Sequence, residues 1–326
     1  MTSPIPHWPG QMVSLANGER VYVAETPPYV PDNQAPGTKR ARELVLCVHG
    51  MSGAATNWTD FMAELVADFD GAAVDLPGSG FSPPPAAKSG YSITALARTV
   101  IRLIEALARG PVHLVGNSMG GAVSIRVAAT RPDLLRTLTL VSPVLPDLRV
   151  RPELLQFPVA GLPFIGEWVM RRTRKVPAEN RVAGVLETCY GDPGLVHPER
   201  FRQDVAELKR RDELPYSATS LSRAARTIVA ETLRPRPYSL WRAAERITVP
   251  ALVTFGSHDR LVNPRLAVPA RRAFRDGTVA VLTETGHVAQ MERPRLLAEL
   301  FREMVDGARA RDDGVGNSGR RDPVDA

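Results

Sequence analysis

The chain has 326 residues, 44 % of them hydrophobic and 23 % charged, with a formal net charge of +6 and a pI near 9.7. These values fit a globular protein with one large α/β domain, or one domain carrying an insertion. Two cysteines exclude a disulfide framework, and no apolar run approaches the length of a bilayer-spanning helix.

From the N-terminus, "MVSLANGERVYVAETP" alternates around Asn17-Gly18, which predicts a β-hairpin. Residues 27–42 are rich in Pro, Gly and polar groups and read as a loop. "ELVLCVHG" is a continuous apolar strand, as found where a parallel sheet is covered on both faces. "NWTDFMAELVADF" has helical period, and "GAAVDLPGSGFS" is a short strand entering a Gly-rich turn. "SITALARTVIRLIEALARG" is an amphipathic helix with Ser92 as N-cap and Gly110 as its stop. "PVHLVGN" is a second buried strand, "MGGAVSIRVAATRP" a helix up to Pro132, and "LRTLTLVSP" another strand.

After Pro143 this rhythm breaks. Residues 146–246 show only helical periods punctuated by prolines. Strand and helix then alternate again through "ITVPALVTFGSHD", "NPRLAVPARRAF", "GTVAVLTETGH" and "PRLLAELFREMV". The pattern predicts a core in two parts, 1–145 and 247–305, with a helical cap at 146–246 inserted between them. From Asp306 the chain loses its apolar period, so 306–326 reads as a disordered tail.

The cap holds 18 basic and 13 acidic residues, so most of the net charge sits there. A solvated helical surface accounts for this. The sharper alternative is a basic lid that attracts anionic substrates or a membrane surface. No basic run is interleaved with aromatics, which argues against nucleic acid as a partner. The first ten residues show no signal-peptide pattern, so a cytoplasmic location without stable membrane insertion is expected. No Cys/His spacing suits a metal, and none is expected.

Gly116-Asn117-Ser118-Met119-Gly120 places a serine between a strand and a helix with glycine two residues away on each side. This is the pattern of a nucleophile elbow: a sharp turn lifts the hydroxyl above the sheet, and small residues avoid collision. A serine hydroxyl needs a base. Of six histidines, His287 follows the last strand and precedes a helix, at the same sheet edge as the elbow. His49 reads as support for its own loop, as does Asp75. Asp259, after the next-to-last strand, is the expected carboxylate partner of His287, with Asp147 as a substitute. "CVHGMSG" places the Met51 amide facing the elbow. With the Met119 amide it forms an expected two-donor oxyanion hole.

"HGMSGAATNW", "DLPGSGFS", "GNSMGG", "GSHDRLV" and "GHVAQMERP" together resemble the α/β-hydrolase superfamily over residues 12–305. The resemblance implies a mostly parallel sheet with helices on both faces, a helical cap over the site and no cofactor. It is also similar in part to hydrolases that cleave carbon–carbon bonds of ring meta-cleavage products. Those carry a Ser-Gly-Pro-Gly-like loop and a tryptophan where this chain has "HGMSGAA" and Met291. The reading is therefore a carboxylic-ester hydrolase acting on a small to medium apolar molecule, as a monomer or homodimer. Carbon–carbon hydrolysis, acyl transfer or perhydrolysis, and non-catalytic ligand binding are its alternatives. The apolar cap piece "LLQFPVAGLPFIGEWVMRR" is expected to line the pocket or seal the cap on the core.

Overall fold

The strands β3 (Leu44–Val48), β4 (Asp70–Val74), β5 (Val112–Asn117), β6 (Leu135–Val141) and β7 (Ala251–Gly256) are buried almost throughout. Their apolar runs follow from this, since side chains alternate between two covered faces. In β3, Leu44, Leu46 and Val48 join one core cluster, and Val45 and Cys47 join the other. The structure is a computed structural model and describes residues 4–27, 42–147, 156–162 and 164–318.

The sheet has eight strands in the order β1-β2-β4-β3-β5-β6-β7-β8. β1 (Gly10–Ser14) and β2 (Arg20–Glu25) form the expected hairpin, with Gly18 at φ 81°, and β2 pairs antiparallel with β4. All remaining pairings, out to β8 (Gly277–Leu282), are parallel. Helices α2 (Ile93–Leu107) and α3 (Met119–Thr130) pack on one face. Helices α1 (Thr59–Leu65) and α12 (Pro294–Ser318) pack on the other, and the short helices α10 (Ala267–Ala273) and α11 (Ala289–Glu292) precede β8 and α12. The Ser92 hydroxyl caps α2 by accepting from the Ala95 amide at 3.2 Å. The left-handed C-cap of α2 is Ala108, two residues before Gly110. Residues 28–41 of the predicted loop lie outside the described residues.

The insertion between β6 and β7 contains α4 (Gln156–Gly161), α5 (Ile165–Thr173), α6 (Ala178–Cys189), α7 (Pro198–Glu213), α8 (Ser217–Thr232) and α9 (Leu240–Ala244). The predicted cap boundary falls late, because Leu240, Ala243 and Ala244 of α9 already belong to the core cluster on the sheet. The predicted tail begins early. Helix α12 continues past Asp306 because Phe301, Met304, Val305 and Ala308 repeat at helical spacing and are all buried. Residues 319–326 lie outside the described residues. The apolar cap piece divides: Ala160 is buried, whereas Phe164, Ile165 and Trp168 face outward. No helix among the described residues is long and apolar enough to cross a membrane.

Phe301 anchors α12. Its ring is fully buried and meets Phe61, Phe69 and His113 edge-on at 5.3–6.1 Å. Truncation to alanine removes these contacts and leaves a cavity. Phe301→Ala is expected to lower unfolding free energy by about 3–5 kcal/mol in denaturant titration. A loss under about 1 kcal/mol would mean that α12 contributes little to the core.

Candidate active site

The strand ends that matter lie at one edge. His49 and Gly50 follow β3, Ser118 follows β5, Asp259 follows β7 and His287 follows β8. The carboxyl ends of parallel strands form the natural crevice of such a sheet.

Ser118 joins β5 to α3 with φ 55° and ψ −117°, a conformation that L-residues rarely adopt. The turn is held from both sides. The Ser118 amide donates to the Val141 carbonyl at 3.0 Å, and the Ser118 carbonyl accepts from the amides of Ala122 and Val144. The flanking glycines are required by close approach. A Cβ on Gly116 would sit 2.6 Å from the Gly120 carbonyl oxygen, and one on Gly120 would sit 2.2 Å from that of Val48.

His287 and Asp259 are brought together as predicted. His287 Nδ1 lies 2.9 Å from Asp259 Oδ2, and both residues are buried. Asp259 Oδ1 accepts from the amides of Leu261 and Val262, each at 2.8 Å. Burial by itself pushes the Asp259 carboxyl up. The charge and hydrogen bond of His287, with the Val262 amide and the Ser142 hydroxyl, outweigh burial and hold it below its ordinary range. A carboxylate can only accept, so Nδ1 is the donor and carries a proton. Of the two candidate carboxylates, Asp259 is the one seen on His287 Nδ1. Asn117, which precedes Ser118, donates from Nδ2 to the His287 carbonyl and the Val141 carbonyl, both at 3.0 Å. This amide ties the histidine loop to the serine turn.

The other histidines are engaged elsewhere or exposed. His113 lies between Thr137 and Glu43, His197 caps α7, His7 meets Thr59 and His258 is exposed. His49 Nε2 accepts from the Leu76 amide at 3.0 Å, so Nδ1 donates to the Gly50 carbonyl at 2.7 Å. Burial lowers its pKa to about 4, so it stays neutral and braces the loop. Asp75 accepts from the amides of Ala55 and Phe81 and fixes the neighbouring loop, with burial raising its pKa to about 6.

The loop after β3 passes directly against the serine: a Cβ on Gly50 would lie 3.0 Å from Ser118 Cβ. Met51, next in the chain, packs half-buried on the core. Met119 opens α3, where backbone N–H groups lack intrahelical partners. Ser52, at φ 63°, is clamped by cap residue Arg211, which donates to its carbonyl at 2.6 Å and its hydroxyl at 3.0 Å.

Glu292, Asn117 and Arg211 escaped the sequence reading. Glu292 is the most consequential. Its buried carboxylate accepts from the amides of Gly191 and Asp192 at the end of α6, and from Gly286 at 2.7 Å. The His287 amide also donates to the Cys189 carbonyl at 2.6 Å. Val288 packs with Val182, Leu186 and Tyr190 in a cluster shared with the cap. The cap is thus fastened to the histidine loop. The only sign of Glu292 in the sequence is its place in "GHVAQMERP". A depression of about 420 Å³ between α6 and α7, lined by Leu186, Val196 and Phe201, lies on the cap and does not include Ser118.

A sheet sequential in order except that β3 and β4 are interchanged, a strained serine between strand and helix, and a histidine–aspartate pair at the same edge fit an α/β-hydrolase. A family profile described as alpha/beta hydrolase fold matches residues 43–294. The chain belongs to this family of hydrolases. It is 28 % identical over 265 residues to the dihydrolipoyllysine-residue acetyltransferase component of an acetoin cleaving system from Cupriavidus necator. That match covers 81 % of this chain and 64 % of the relative, so the chain spans under two thirds of that protein's length. It is 26 % identical over 270 residues to a pimeloyl-[acyl-carrier protein] methyl ester esterase from Neisseria meningitidis, covering 82 % and 95 %. In fold it is similar to Cfl2 from Burkholderia cenocepacia, with TM-score 0.75 and 19 % identity over 93 % of this chain and all of that one.

Two outcomes follow from this geometry. His49 has its pKa depressed in the folded protein and ordinary in the unfolded chain. The unfolded chain therefore binds the extra proton first as pH falls. Stability contributed by neutral His49 is full above about pH 6.5 and is lost towards pH 4, by an amount of the order of 3 kcal/mol. The stability gap between wild type and His49→Gln should narrow over this window, and a constant gap would remove His49 as the cause. Glu292→Gln turns one acceptor oxygen into a donor facing backbone N–H groups. It is expected to cost about 2 kcal/mol or more in denaturant unfolding. An unchanged midpoint would show that those amides find other partners.

Proposed function

We propose that this α/β-hydrolase is a serine esterase that cleaves a carboxylic ester of a small to medium apolar molecule through an acyl-enzyme. The observation that carries the reading is the strained Ser118 turn, tied through Asn117 to the loop of a buried His287–Asp259 pair. Ser118 Oγ attacks the ester carbonyl carbon as its proton passes to His287 Nε2. Asp259 orients the ring and stabilises the imidazolium. The negative charge that develops on the carbonyl oxygen is met by the amides of Met51 and Met119. The tetrahedral species collapses, the C–O bond to the alcohol breaks, and His287 returns the proton to the departing oxygen. Water, deprotonated by His287, then releases the acid and restores Ser118.

The Neisseria relative, a methyl ester esterase by name, supports this chemistry. The reading includes no cofactor or metal ion and a cytoplasmic location.

The test combines labelling by a fluorophosphonate probe with turnover of p-nitrophenyl esters of rising chain length. Ser118→Ala is expected to abolish labelling and to lower kcat by at least about 10⁴-fold. Asp259→Asn should keep labelling slow but measurable and lower kcat by roughly 10³–10⁴-fold. Full turnover by Ser118→Ala would end the assignment. Labelling with no ester turned over would shift the reaction to carbon–carbon cleavage or acyl transfer.

A further inference from the structure

Helix α5 is built inside out. Its inward contact is made by Gly166, where a Cβ would lie 1.9 Å from the Ala160 carbonyl oxygen and 2.7 Å from Ser222 Oγ of α8. Its large apolar residues point the other way. Phe164 is 87 % exposed, Trp168 57 % and Ile165 51 %, and Leu162 continues the surface from the end of α4. Burying these side chains against α8 would require a wider gap between the helices, and the glycine closes that gap. Phe164 also holds φ 62°, a left-handed conformation unusual for a bulky residue, and this conformation carries the ring outward.

Positions 164, 165, 168, 171 and 172 fall on one helical face. The apolar group therefore runs into Arg171 and Arg172, both exposed, with Lys175 just beyond. The Arg172 guanidinium lies over the Trp168 ring at 5.0 Å from its centroid. Arg174 turns aside to Asp212 at 3.7 Å. Within α5 the one carboxylate is Glu167.

We propose that this face, with Phe164, Ile165 and Trp168 beside Arg171, Arg172 and Lys175, docks the protein peripherally on an anionic lipid surface. Aromatic and branched side chains insert at the headgroup boundary, where a tryptophan ring is well accommodated. The cations remain at headgroup level, where each is worth roughly fivefold in binding to an anionic surface. Charge disfavours the main competing occupant. A second copy meeting this face about a two-fold axis would bring the same cations against each other. The proposal does not depend on the esterase reading, because it is tested by binding alone.

The experiment is co-sedimentation of the full chain with phosphatidylcholine vesicles, with and without about 30 mol % phosphatidylglycerol, at about 0.1 M and 0.5 M salt. Wild type is expected to partition at least about tenfold more strongly onto the anionic vesicles, with most of that preference lost at high salt. The double variant Phe164→Ser/Trp168→Ser should lose about tenfold or more on either vesicle. Replacing Arg171, Arg172 and Lys175 with Gln should erase the anionic preference, by up to roughly a hundredfold. All these positions are exposed, so thermal unfolding of each variant should match wild type and certify the fold. Absence of wild-type binding, or binding unaffected by both sets of substitutions, would overturn the proposal. So would a wild-type dimer in sedimentation velocity that Phe164→Ser/Trp168→Ser dissociates while vesicles bind neither protein, since the face would then join two copies.

Discussion

The turn at Ser118 is the constraint around which the rest of the site is arranged. A residue with a side chain held at φ 55° and ψ −117° carries a strain of roughly 1–3 kcal/mol, which surrounding structure must hold in place. Three neighbours do so through the serine's own backbone: Val141 takes its N–H, and the amides of Ala122 and Val144 take its carbonyl. The strain has a spatial consequence. With strand and helix meeting so sharply, α3 starts against the end of β3, and Gly120 lies on the Val48 carbonyl. The loop after β3 is thereby brought against Ser118 at Gly50. Met51 and Met119, whose amides the proposed reaction sets around the oxyanion, lie on the two segments that this turn brings together.

The histidine is positioned differently, through its loop. Asn117 holds its carbonyl from the sheet side, Cys189 holds its amide from the cap side, and Asp259 fixes the ring. Glu292 closes the arrangement by gathering amides from both the loop and the end of α6. A carboxylate that accepts several backbone N–H groups is a strong fastener, and each charge-assisted bond is stronger than a neutral one. Gly286 lets this happen: a Cβ there would lie 2.3 Å from the Cys189 carbonyl oxygen and 2.4 Å from the Gly191 nitrogen. The cap therefore does not simply rest above the sheet. It supplies one of the hydrogen bonds that set the height of His287, so motion of α6 and placement of the imidazole are mechanically linked.

What was legible in the sequence divides along physical lines. Strand runs, the Asn17-Gly18 hairpin, the serine turn and the histidine loop are local patterns, and local chemistry writes them into consecutive residues. Asp259 and Asp147 both follow strands at the same sheet edge, and only the packed fold shows which reaches Nδ1. Glu292 was invisible because its partners at Gly191 and Asp192 lie a hundred residues away. The end of α12 was misplaced for another reason: Ala308 is a weak apolar signal, and only its burial reveals that the helical stripe continues. The apolar cap segment predicts burial by composition, yet a run of apolar residues does not say which side of a helix faces in. A single glycine, Gly166, settles it.

The basic excess of the cap shows the same limit of counting. Charge totals cannot separate arginines that hold structure from arginines that face outward, and this fold contains both. Arg200 bonds Asp60 on α1, Arg211 clamps Ser52, and Arg210 reaches the Gly80 carbonyl at 2.8 Å while stacking over Phe81. These three come from α7 and join the cap to the core loops around the site. Their charge is consumed by contacts inside the molecule, so it adds little field outside. The cations of α5 are placed differently, exposed and next to exposed aromatic rings. One compositional feature thus serves two separate ends: α7 spends its guanidinium groups on closing the cap over the serine edge, and α5 presents its own to whatever lies beyond the protein.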